Sequence, residues 1–142
     1  MALSAQRTWV IDPHSGGVAV PERTRRSTVQ RIEKHAKKHY AGKYARLDFR
    51  FRGPLCYVDA YVEPQAPSKA LLKSTGETPA QFLERLRAVP AHLCRLRHFA
   101  QDRWSMAFFS YSDERYHPSV LGDGSFFGTP EEAFDVGAVH LI

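Results

Sequence analysis

Asp48 and Asp59 are the residues of this chain with the plainest catalytic potential, because the alternating stretches that carry them set the two carboxylates opposite each other across a strand pair. Such a pair can hold Mg²⁺ for phosphodiester hydrolysis, or divide its proton affinities into acid and base roles. Arg46 and Arg50 flank Asp48, so neutralisation by guanidinium groups is the competing expectation. No third acidic residue stands at an informative spacing, and Glu63 lies too far along its strand.

Other reactive residue types are weaker as sites. His35 and His39 are four apart, which puts two imidazoles on one helix face. The Glu of an H-E-x-x-H motif is missing, and none of His14, His92, His98, His117 and His140 is an obvious third ligand. Asp12, His14 and Ser15 have the residue types of a hydrolytic triad, but neighbours in one turn cannot form its relay. Backbone N–H groups around Gly16-Gly17 are an alternative anion site there. Cys56 and Cys94 each sit in an apolar alternation and read as buried small hydrophobes rather than nucleophiles. No cofactor is implied.

Charge gives a broader signal. Of the 20 Lys and Arg residues, eleven lie between Arg23 and Arg52, opposed there only by Glu33 and Asp48. That stretch carries +9 and the rest of the chain −4, giving the whole-chain +5. A concentrated positive field attracts polyanions. With 12% aromatic residues, the basic stretch must ride on a folded scaffold rather than a disordered tail. No apolar run approaches a membrane span and no leader pattern opens the chain, so the expected location is cytoplasmic.

The elements that position these groups follow from periodicity. Short β-like runs at Thr8 to Ile11 and Val18 to Val20 surround a Pro/Gly turn. From Pro21, the residues Val29, Ile32, Ala36 and Tyr40 form one apolar helical stripe, with Arg23, Arg31, Lys34, Lys37 and Lys38 opposite. Ala45 to Arg52 then alternates with period two, Gly53-Pro54 supplies a tight turn, and Leu55 to Glu63 returns. The register pairs Phe51 with Cys56, Phe49 with Val58, Leu47 with Ala60 and Ala45 with Val62 on the core side. The other side pairs Arg50 with Tyr57, Asp48 with Asp59 and Arg46 with Tyr61, two cation–π candidates around the carboxylates.

Residues 64–77 read as a surface connection without periodicity. Thr78-Pro79 with Gln81, and Thr129-Pro130 with Glu132, are capping boxes that open a middle and a C-terminal helix. His92 to Phe99, Arg103 to Ser112 and Tyr116 to Leu121 read as strands, the second buried on both faces. Its Ala107, Phe108 and Tyr111 match an RNA-recognition aromatic strand only weakly, and the element order opposes that fold. The expected architecture is a single α+β domain, 1–142, with residues 1–20 as an N-terminal arm. Its antiparallel sheet has four to five strands in two hairpins, with an N-terminal basic helix, a middle helix and a C-terminal helix.

The segments His14-Ser15-Gly16-Gly17, His39 to Tyr44, Arg50 to Gly53, Tyr57 to Tyr61 and Gly128 to Phe134 resemble an uncharacterised family of small bacterial proteins. The resemblance implies a bacterial chain and transfers neither catalytic residues nor a mechanism. Residue chemistry therefore sets the functional expectation: a non-enzymatic module binding nucleic acid, DNA or RNA, through Arg31, Lys34, Lys37, Lys38, Arg46, Arg50, Tyr57, Tyr61, Arg95 and Arg97. The alternatives are a Mg²⁺-dependent nuclease using Asp48 and Asp59, and a subunit that meets an acidic protein or its own acidic half. Phe99 to Ile142 holds seven Asp and Glu against Arg103 and Arg115.

Overall fold

The computed structural model describes residues 12–141; the strand expected at Thr8 to Ile11 lies outside them. A meander of five antiparallel strands, β1 (Arg46–Arg52), β2 (Leu55–Tyr61), β3 (Ala91–Ala100), β4 (Arg103–Ser110) and β5 (Arg115–Ser119), lies in the order β1-β2-β3-β4-β5. Helices α1 (Glu22–His39), α2 (Lys69–Thr75), α3 (Pro79–Arg87) and α4 (Pro130–Gly137) complete an α+β domain, followed by a 3₁₀ turn at Ala138–Leu141. The two expected hairpins are joined, because β2 pairs with β3 across the 64–90 excursion.

The β1–β2 register is the one that alternation dictates, from Arg46 opposite Tyr61 through Asp48 opposite Asp59 to Arg52 opposite Leu55. Ala45 ends outside the ladder, its N–H donating to Tyr61 O at 2.6 Å. Cys56, Val58, Cys94, Leu96, Trp104 and Met106 face one side of the sheet. There they pack with Ile32 and Ala36 of α1 and Ala133 and Phe134 of α4 into one buried core. Burial of Trp104, Ser105, Met106 and Ala107 in succession shows that β4 is covered on both faces. Cys56 and Cys94 are free and buried in this core, and burial pushes the Cys56 thiol up to about 12 and the Cys94 thiol well above its usual range.

Two expectations needed correction. Val18 to Val20 adds no strand to the sheet; it crosses the strand ends, with Val18 N–H on His98 O at 2.8 Å and Val20 N–H on Gly53 O at 3.0 Å. Gly17 makes that crossing possible, since a Cβ there would lie 2.6 Å from His98 O. The 64–77 connection contains α2, capped by Ser68 Oγ on Leu71 N–H at 3.2 Å and ended by Gly76 in the left-handed region. Both capping boxes form as expected, at Thr78 and Thr129. Among the described residues no helix is long and apolar enough to cross a membrane.

Candidate nucleic-acid interface

The sheet face turned away from α1 and α4 is built by the polar half of each alternation. Arg46 lies over the ring of Tyr61 at 3.8 Å and Arg50 over Tyr57 at 4.5 Å. From β3, Arg95 stands between Tyr57 and the small, buried Ala107, and its guanidinium reaches the Tyr116 ring of β5 at 5.3 Å. Tyr57 and Tyr116 meet edge to face at 5.5 Å, which closes a row of alternating guanidinium and phenol groups across the strands. Among the described residues, none of these three arginines touches a carboxylate. Arg85 and Arg87, by contrast, are held by Glu77 and Glu63 at 2.9 and 2.6 Å.

The opposed carboxylates differ in environment. Asp48 is exposed on the edge strand, while Asp59 is 6% exposed and accepts a hydrogen bond from His92 Nδ1 at 2.9 Å. A register shift at Val58/Asp59 brings His92 opposite Asp59. The imidazole packs on Phe109 at 4.7 Å and stacks over Tyr111 at 6.3 Å, whose hydroxyl accepts the His92 backbone N–H at 2.7 Å. With Nδ1 donating to Asp59, Nε2 is the ring nitrogen left without a partner among the described residues. Burial first, and the Asp59 carboxylate second, hold the Tyr116 phenol above its usual range, so this hydroxyl stays protonated. Among the described residues no three His, Cys, Asp or Glu side chains come together as metal ligands.

The other expected site residues divide into three groups. Arg97 lies on the same face, but its guanidinium donates to Gly16 O at 2.8 Å, and desolvation beside Arg95 weakens its basicity. The 12–17 turn thereby closes one end of the face, helped by a hydrogen bond from Ser105 Oγ to Pro13 O. Inside that turn Asp12 accepts His14 N–H at 2.8 Å and Ser15 Oγ–H at 3.0 Å, a local turn rather than a catalytic relay. Arg31 is not part of the open basic face of α1: it bonds Glu131 of α4 through Nε and Nη2 at 3.0 and 2.8 Å, and Asp102 through Nη1 at 2.6 Å.

Lys34, Lys37 and Lys38 are exposed and make no ion pair among the described residues. Because α1 packs on the core side, these lysines and the Arg/Tyr row lie on opposite faces of the sheet. They meet only along the edge of β1, where Lys34, Lys37, Tyr44 and Arg46 line an open groove of about 490 Å³. His35 and His39 do approach, with ring centroids 4.6 Å apart, but His35 Nε2 faces Asp135 Oδ1 at 2.6 Å, a helix-to-helix contact.

Sequence reasoning left His92 and Tyr116 out of the site. Both belong to strands recognised by alternation, but their facing depends on the β2–β3 bulge and on β5 pairing with β4, pairings across loops that carry no register signal. Comparison with protein-family models, with curated proteins and with solved structures finds no match for the chain.

Proposed function

We propose that this chain binds single-stranded nucleic acid on the Arg/Tyr sheet face. The observation that carries the reading is the row of Arg46, Arg50 and Arg95, each stacked on a tyrosine and none, among the described residues, paired with a carboxylate. Guanidinium groups held by ring stacking keep their N–H forks free for phosphate oxygens, and Tyr57 and Tyr61 offer faces to bases. Lys34 and Lys37 extend the positive field around the β1 edge. Binding of a short labelled oligonucleotide should weaken with salt at a log–log slope of about −2, the value for roughly three phosphates on a single strand. R50Q/R95Q should flatten that slope by about 1.4, and Y57L should weaken binding by about 1 to 3 kcal/mol without changing it. Binding that ignores salt, or is unchanged in R50Q/R95Q, defeats the proposal.

The Asp59–His92 pair favours a second reading, cleavage of a bound RNA strand without a metal. His92 Nε2 would take the proton of a ribose 2′-hydroxyl as O2′ bonds to phosphorus and the P–O5′ bond breaks, the departing O5′ receiving a proton from water. Arg50 and Arg95 would carry the phosphorane charge. RNA incubated with the protein in excess EDTA should then yield 2′,3′-cyclic phosphate ends, and H92Q should yield none. Intact RNA, or equal cleavage by H92Q, removes this reading.

A further inference from the structure

The outer edge of β1 presents backbone groups that the proposed nucleic-acid face does not use. β1 is terminal in the sheet and pairs only with β2; among the described residues nothing pairs with its other side. A two-residue turn closes on a hydrogen-bonded pair, here Arg52 and Leu55. Alternation from that pair turns the N–H and C=O of Leu47, Phe49 and Phe51 outward. The side chains of the same three residues point towards α1 and stay only partly covered.

Two depressions lie between this edge and the helix. One, of about 430 Å³, is floored by Phe51 and Val29; the other, of about 490 Å³, by Leu47 and Tyr44. Leu47 and Phe51 are four residues apart, about 13 Å along a strand. Their rims carry Arg25, Arg26, Lys34, Lys37 and Arg46, with Glu22 and Glu33 as the only acids. Arg26 lies within 3.8 Å of Glu22, and Arg50 and Arg52 add charge on the far side of the strand.

We propose that this edge and groove take up an extended acidic segment of another protein by strand addition. Outward backbone groups at strand spacing fit a peptide backbone and have no counterpart in a nucleic acid. The two depressions accept apolar side chains at positions i and i+4 of the incoming strand, and its alternate, acidic residues fall on the side of Arg46, Arg50 and Arg52, within the field of the rim lysines. A second copy of this chain fits poorly, since Arg46, Arg50 and Arg52 against Asp48 leave each β1 at +2.

The test uses the full chain and a seven-residue blocked peptide alternating Glu with Val, Phe and Val. On saturation, exchange of the Leu47, Phe49 and Phe51 amides followed by NMR should slow at least tenfold. K34E/K37E should bind the peptide at least tenfold more weakly, as should a peptide N-methylated on the amides that face β1. Unchanged exchange at those three amides overturns the proposal, as does equal binding of the N-methylated peptide, which would reduce the contact to charge alone. A single-stranded oligonucleotide that protects the same amides would overturn it too, by assigning the edge to nucleic acid. R95Q separates the two surfaces, because it should weaken the oligonucleotide and leave the peptide unaffected.

Discussion

Arg31 and Lys34 stand three residues apart on one helix with the same charge, yet they do different work. The Arg31 guanidinium spans two carboxylates from α4 and the β3–β4 turn, which a planar fork can do and an ammonium cannot. Arg31→Met should therefore cost about 1 to 2 kcal/mol in urea unfolding, whereas Lys34→Met should stay within about 0.5 kcal/mol. Equal effects would show that the Arg31 contacts add nothing to stability. Helical periodicity placed both on one polar face, correctly as geometry. What it could not register is that Asp102 and Glu131, 71 and 100 residues away in sequence, meet that face. The same limit applies to Asp59: its strand position was legible, but its partner His92 arrives from another strand after a bulge.

Elements with local signatures were the legible part. Gly53-Pro54 between two alternating runs sets the β1–β2 register, and the capping boxes at Thr78 and Thr129 form with both reciprocal bonds. The helix α2 was missed because it is seven residues long and buries no side chain, so no apolar stripe announces it. Packing of α4 rests on a close approach whose partner no local pattern names: a Cβ on Gly137 would sit 2.7 Å from Leu93 O and 2.8 Å from the Cys94 Cβ. Gly137→Ala should destabilise by about 1 to 3 kcal/mol despite the better helix propensity of alanine. Gly122→Ala, with nothing within 4 Å of the added carbon, is the control and should be near neutral. A stable Gly137→Ala protein would mean that α4 can lift from β3 at little cost.

At the scale of the molecule, the basic stretch from Arg23 to Arg52 is divided by the sheet. The lysines of α1 lie on the helical side and the Arg/Tyr row on the other, joined by the groove along β1, so a strand bound as proposed would follow the row or turn around the edge. The steepness of the salt dependence is therefore a property of the whole surface: a slope well beyond −2 would mean that Lys34 and Lys37 contact phosphate as well. Composition and period alone determined that positive charge concentrates between Arg23 and Arg52, that it rides on an α+β scaffold, and that Arg46, Arg50, Tyr57 and Tyr61 share one side of a hairpin. These are local consequences of charge, turn chemistry and the two-residue repeat of a strand. Tertiary structure alone decided which cations are neutralised, that Asp59 answers to His92, and that the outer edge of β1 stays unpaired among the described residues. Each of those depends on which distant segments the core brings together, and burial, not local sequence, chooses them.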